Sequence, residues 1–291
     1  MYQLFGLCLV ILLVGSALVF SGADGVLAAL PFELTLIVGA ALGTLLIGNG
    51  PDVTRGALAG LVRAVRGSRW KRSDYASLLG VMAEISRRIS RRGYLAVEAD
   101  AEAPERSTLL KSAPRLYEDA AARDLVCNAL RLGALDPSNP NRTLEQMDRS
   151  IEQTLAQRMR SVAALQSVAD ALPALGIVAA VLGIIKTMTA IDAPAETLGA
   201  MVASALLGTF LGVFLSYGCV GPLANRFGQV VEEEACALDV IRTHFAQTLA
   251  GAAAQAATDV ATACIPATAR PDRETVDQAS QRLRFSERTA A

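Results

Sequence analysis

The sequence predicts an all-α, polytopic membrane protein with four transmembrane helices and a large helical cytoplasmic region. Three observations carry this. Four long apolar runs, grouped as two, a long gap and two, hold almost no Asp, Glu, Lys or Arg. Ten Lys and Arg residues crowd into residues 53–92, beside only Asp74 and Glu84. Between the two pairs of runs, apolar residues recur at helical spacing. The composition agrees, since 52% of the 291 residues are hydrophobic and 19% charged, against about 25% charged in soluble domains. Mean hydropathy is +0.38. Residues 1–50 read as spans one and two, 51–170 as the cytoplasmic helical domain, 171–224 as spans three and four, and 225–291 as a cytoplasmic helix and tail.

Span one lies in residues 1–23, which carry no charge and are almost wholly aliphatic from Leu7 to Phe20. That length suffices, because about 20 apolar residues cross the hydrocarbon layer. A cleaved signal peptide fits badly, since no Lys or Arg precedes the run. Span two covers about 31–49, with Glu33 at its outer edge and Gly39, Gly43 and Gly48 inside. The basic cluster that follows places the long segment, and with it both termini, on the cytoplasmic side.

Within that segment, Tyr75, Leu78, Leu79, Met82, Ile85 and Ile89 form one helix face. A second helix is expected from Pro114 to Leu132, the proline being tolerated in a first turn. Residues 136–141 read as a turn, and Thr143 with Gln146 as the next helix start. That helix carries Ile151, Leu155, Met159, Val162 and Leu165, and is expected to run unbroken into span three. Span three (171–190) aligns Gly176, Ala179, Ala180 and Gly183 in one narrow stripe, and span four (197–225) places Ala200, Ser204, Gly208 and Gly212 four apart. Such stripes let membrane helices approach backbone to backbone. After Pro222 a helix continues through Val230, Val231, Leu238 and Ile241. Residues 250–263 are weakly specified, and the charged tail from Arg273 is expected to be partly disordered.

The same inventory excludes several functions. A net charge of −1 gives no signal for nucleic acid. Five cysteines without CxxC spacing and a single histidine, His244, predict neither a disulfide framework nor a metal site. No phosphate-binding loop, dinucleotide fingerprint, nucleophile elbow or HExxH motif occurs, so no enzyme reading survives.

What remains is a set of features in and near the membrane. Pro173 and Pro222 stand at the cytoplasmic ends of spans three and four, as ordinary kinks or as a pair of hinges. No Asp, Glu, His, Lys or Arg occurs in 171–185 or 198–224, where Ser204 and Thr209 are the main hydroxyls. Ion paths through membranes are normally marked by ionisable groups. Either these spans conduct nothing, or a partner helix supplies the carboxylate; the Thr209 hydroxyl either faces that path or bonds the Ala205 carbonyl. The charges around Arg87, Arg88, Arg91, Arg92, Glu98 and Asp100 read as a solvated, positive-inside face or as a docking surface for a charged partner.

Residues 169–188, with Pro173, Gly176, Ala179, Ala180, Gly183 and Lys186, resemble the third-helix signature of MotA stator subunits of the bacterial flagellar motor. Gly208 to Leu215, Tyr217-Gly218 and Val220 to Ala224 resemble that family's fourth helix, and Pro31 to Leu34 with Gly39 to Gly43 its second. Arg270-Pro271 is similar to its C-terminal segment. The resemblance implies a bacterial inner-membrane subunit that forms a pentamer around two copies of MotB, whose single membrane helix carries the ion-binding Asp. It implies that Thr209 and Ala180 line the ion path and that Pro173 and Pro222 couple ion passage to movement. Ala180 stands where sodium-driven relatives carry a threonine, so losing that hydroxyl ligand favours protons as the coupling ion; no cofactor is implied. It further implies contact with the rotor protein FliG through Glu98 and either Arg91 or Arg92, Ser90 standing where the family has its arginine. The alternative is an ExbB/TolQ-type energy transducer, which has one span, not two, ahead of its large cytoplasmic segment.

Overall fold

The computed structural model describes residues 2–20 and 24–290. Its helices are α1 (Tyr2–Phe20), α2 (Asp24–Gly48), α3 (Pro51–Arg66), α4 (Arg72–Arg92), α5 (Glu98–Glu102), α6 (Thr108–Lys111), α7 (Pro114–Glu118), α8 (Ala120–Leu135), α9 (Pro140–Thr189), α10 (Ala195–Val213), α11 (Gly221–Leu249), α12 (Ala254–Ala263) and α13 (Arg273–Ala290). A 3₁₀ turn at Tyr94–Ala96 and a π-helical turn at Phe214–Val220 complete the described structure. Four of the described helices are long and apolar enough to cross a membrane, within Tyr2–Phe20, Ala28–Gly48, Pro140–Thr189 and Ala195–Leu249. The chain is thus an all-helical polytopic membrane protein.

It divides into two compact units, each built from two separate chain segments: Met1–Gly67 with Arg158–Val230, and Ser68–Gln157 with Val231–Ala291. The membrane unit holds α1 to α3, α10, the π turn and the matching parts of α9 and α11. α1 buries none of its residues, as suits a helix apolar on every side. α2 buries Ile37, Ala41 and Leu45 at steps of four, and the first two join Leu172, Ala179, Leu207 and Leu211 in one apolar cluster. α3 starts with Pro51 in its first turn, where the missing N–H is harmless. It turns Thr54, Ala57, Gly60 and Ala64 inward. Gly60 is small because the Phe227 ring lies where its Cβ would be; the Arg63 guanidinium stacks 5.4 Å from that ring's centre.

The second unit packs around α4, whose Tyr75, Leu78, Leu79, Met82 and Ile85 are buried as their spacing predicts. Leu125, Val126 and Leu130 of α8, Leu238, Ile241 and Phe245 of α11, and Val276 of α13 close the same core. Arg242 stitches the two chain segments together with a bidentate pair to Asp148, at 2.8 and 2.9 Å. α9 is continuous over 50 residues, about 75 Å at 1.5 Å per residue, so the expected unbroken run into span three is present.

Several local expectations are corrected. The helix expected over 114–132 breaks at Asp119, whose carboxylate caps α8 by accepting from the Ala121 N–H at 3.2 Å. α9 begins at Pro140 rather than Thr143, because proline fits a first helical turn. α2 begins at Asp24, with Pro31 inside it rather than at its start. The segment after Gly251, a turn at φ +80°, forms α12. The tail from Arg273 is helix, not coil: few apolar side chains suffice because Val276 and Ser280 are buried and Gly80 of α4 leaves room for Ala279.

Candidate functional site

The α9–α10 pair of the membrane unit is built on absent side chains. A Cβ on Gly176 would stand 2.8 Å from the Gly208 carbonyl oxygen and 3.0 Å from Gly212 Cα. One on Gly212 would stand 2.6 Å from the Leu172 carbonyl oxygen. One on Gly183 would meet Ala205 Cβ at 2.6 Å, and one on Gly208 would meet Ala179 Cβ at 3.0 Å and the Ala180 nitrogen at 3.2 Å. These are backbone-to-backbone approaches that larger residues forbid, and the small-residue stripes read from the sequence form this seam. The opposite face of α9 is exposed and apolar through Val178, Val181, Leu182 and Ile185.

Ala180 is buried within the seam. Thr209, one residue past Gly208, is half-buried, and among the described residues it makes no bond to the Ala205 carbonyl. Thr35 and Thr187, by contrast, donate to the carbonyls four residues back, at 2.7 and 2.9 Å. The seam thus brings Ala180 and the Gly208–Thr209 step to one level.

Pro173 lies inside α9. Having no N–H, it leaves the Ala169 carbonyl, four residues back, without its helical donor. The buried Ser216 hydroxyl donates to that same oxygen at 2.7 Å. Ser216 reaches it from the π turn Phe214–Val220, which widens the helix directly before Pro222. Gly221 N–H bonds the Ser216 carbonyl five residues back, and Pro222 follows and is exposed. The sequence predicts both prolines but neither the π turn nor the Ser216 bond. The available signal was a serine in an apolar run, together with the carbonyl that Pro173 orphans.

In the second unit, the charge cluster at the end of α4 separates into two sets. Glu84 is buried and accepts from Arg87 Nη1 at 2.6 Å, with Arg88 Nε 3.7 Å from its other oxygen. Arg87 also donates to Ser280 Oγ at 2.6 Å. Arg88 donates to Asp100 at 3.0 Å, and Asp100 accepts from Ser107 at 2.5 Å. Arg87, Arg88 and Asp100 are therefore internal struts and not part of an outward docking face. Arg91 and Arg92, in the last turn of α4, are exposed, and so is Glu98 in the first turn of α5. Gly93, at φ +71°, ends α4 and turns the chain through the 3₁₀ turn into α5, so the three outward charges share one corner. The basic pair suits the negative end of the α4 dipole, and Glu98 the positive end of α5.

Fold and seam define a polytopic helical subunit that pairs its last two spans through glycine and alanine. Residues 4–93 match the motility protein A N-terminal family, and residues 117–239 the MotA/TolQ/ExbB proton channel family. Motility protein A of Salmonella typhimurium is 32% identical over 83% of this chain and 82% of its own length. The Escherichia coli protein of that name is 32% identical over 88% and 87%, and chemotaxis protein LafT of Vibrio parahaemolyticus 34% over 77% and 80%. Among solved structures, C. jejuni MotAB shares the fold with a TM-score of 0.72 at 18% identity, covering 94% of this chain and 98% of that one. The stator complex of Bacillus subtilis gives a TM-score of 0.64 at 19% identity, covering 88% and 92%. The chain belongs to the motility protein A family, as a flagellar stator subunit of the proton-channel type.

Proposed function

We propose that this subunit forms a pentameric ring around a MotB-type partner, and that protons passing along the ring's inner face drive it against the rotor protein FliG. The observation that carries this reading is the α9–α10 seam. It is closely packed, free of ionisable side chains along 171–185 and 198–213, and has Pro173 inside α9 at its end. The two helices of the seam thus supply no carboxylate of their own for the ion, and the solved structures of similar fold are MotAB complexes. Thr209 and Ala180 line the path in this reading, and the alanine, lacking a hydroxyl ligand for a hard cation, favours protons over sodium. The ring face, Pro173 and Pro222 shift as the partner's carboxylate binds and releases its proton. α9 and α11 carry that shift along unbroken helix to the corner of Arg91, Arg92 and Glu98, which acts on rotor charges from the cytoplasmic side. The match over residues 4–93 includes two spans, which speaks against the ExbB/TolQ-type transducer.

Deleting the gene is expected to leave filaments present but paralysed. Rotation restored by the gene should survive in sodium-free medium and stop with a protonophore; insensitivity to the protonophore would refute proton coupling. Pro173→Ala should assemble with the partner yet stop rotation, and intact torque in that variant would refute the hinge.

A further inference from the structure

Glu33 is the acidic residue that the spans of this chain carry inward. It lies 15 residues before Gly48 along α2, about 22 Å by helix rise, so within an apolar layer about 30 Å thick. The side chain is only 4% exposed. Its Oε2 atom has no hydrogen-bond donor among the described residues. Gly208 of α10 makes room for it: a Cβ there would stand 3.1 Å from that oxygen. Beside the carboxylate lies a cavity of about 460 Å³, lined by Phe32, Lys186, Thr197, Met201 and Ser204 among others. Lys186, from α9, is the other charged side chain on its wall, and α10 contributes the two hydroxyls.

A lone carboxylate in such surroundings is costly unless it is neutralised. Two means are at hand, the Lys186 ammonium across the cavity and a proton. The volume admits on the order of ten waters at about 30 Å³ each, and Glu33, Lys186, Thr197 and Ser204 give them polar partners. We infer that Glu33 is a proton-binding group of this chain itself, set in a hydrated vestibule that opens between α2, α9 and α10. Its ligand is the proton of a hydronium in that water. The carboxylate accepts that proton, leaving water behind, and returns it to the next water on the way to the partner's membrane carboxylate. Lys186 keeps the empty site from carrying an uncompensated charge. This rests on the proton-driven reading above and deepens it.

The test uses the complex with its MotB-type partner in vesicles, reading proton uptake with an enclosed pH dye under an imposed potential. Glu33→Gln is expected to lower uptake about tenfold or more at equal assembly, and Glu33→Asp to stay within about threefold of the parent. The double variant Glu33→Gln, Lys186→Gln separates proton carriage from simple charge pairing. It removes both charges, so it assembles even if Glu33→Gln alone does not, and its uptake should remain low. Uptake at the parent level in either variant would overturn the inference. A Ser204→Cys variant should gain labelling by a membrane-impermeant maleimide over the parent's own cysteines, and no gain would overturn the hydrated vestibule. If the parent complex itself conducts no protons, the proton-driven reading fails, whereas parent conduction with an unaffected Glu33→Gln removes this inference alone.

Discussion

The Ala169 carbonyl shows how one residue type is compensated by another far along the chain. Proline at 173 removes its donor, and Ser216, 47 residues on, supplies a hydroxyl at 2.7 Å. Hydrogen bonds between membrane helices average about 0.6 kcal/mol, while orphaning a buried polar group costs about 1–3 kcal/mol. Ser216→Ala leaves the carbonyl buried with no donor, so a loss of about 1 kcal/mol is expected, near the overlap of those ranges. Thermal unfolding of the detergent-solubilised complex should show it, and Pro173→Ala in the same background should recover it by restoring the helical donor. His244 offers a second test at this scale. It is fully buried, with Nε2 3.3 Å from Thr258 Oγ1 and Nδ1 3.4 Å from Ser86 Oγ. The Thr258 hydroxyl donates to the Ala254 carbonyl, so it can only accept from the ring, which fixes a neutral Nε2–H tautomer. Burial, and then the nearby Arg87 charge, push its pKa from 6.5 down to about 4. Below pH 6.5 the unfolded chain binds a proton that the folded chain refuses until about pH 4. Stability therefore falls with pH across that window, by about 3 kcal/mol in all, and levels off below it. The stability difference between the parent and His244→Gln, followed by melting from pH 7.5 to 4, should be constant above pH 7 and shrink as the pH falls; a difference that does not move with pH would refute the assignment.

Among the elements, α4 joins a fixed half to an outward end. Its middle is clasped by α13, which approaches so closely that a Cβ on Gly80 would stand 3.2 Å from Ala279 Cβ and 3.3 Å from the Ser280 nitrogen. Gly80→Leu is expected to lift α13 away, and limited trypsin digestion should then cut faster at Arg273 and Arg282 than in the parent. At the end of α4 the arginines divide by partner. Arg88 bridges Glu84 and Asp100 with 24% of its side chain exposed. Arg88→Ala should cost about 2 kcal/mol, less than the 3–5 kcal/mol for a wholly buried pair. Arg91→Ala with Arg92→Ala should leave the melting temperature within a degree or so of the parent, since exposed charges add little, but reduce torque on tethered cells. These two sets look alike in sequence. Arg87 and Arg91 stand four apart on the same helix, and only the return of Asp100 and Ser280 in space separates strut from surface. The four spans, the seam glycines and the core face of α4 were legible because each depends on local periodicity and side-chain size. The α13 helix and the Ser216 bond were not, because each depends on a partner distant in sequence: Gly80 for α13 and Ala169 for the bond.

At the scale of the whole molecule, neither unit is a continuous stretch of chain. The core of the second unit needs Tyr75, Leu78 and Leu79 from its first segment and Leu238, Ile241, Phe245 and Val276 from its second. Residues 158–230, the chain of the last two spans, lie between those segments. The interleaving sets an order of events during synthesis. Residues 68–157 leave the ribosome with a large apolar face and must wait for the final spans to be threaded into the bilayer before α11 and α13 arrive to cover it. During that wait the half-built unit is an exposed hydrophobic surface, the state most open to misassembly and to chaperones. A stop codon between the last span and α13 would therefore cost more than the residues it removes. It would leave the earlier segment uncovered, and correct insertion of span four becomes a condition for the folding of the second unit.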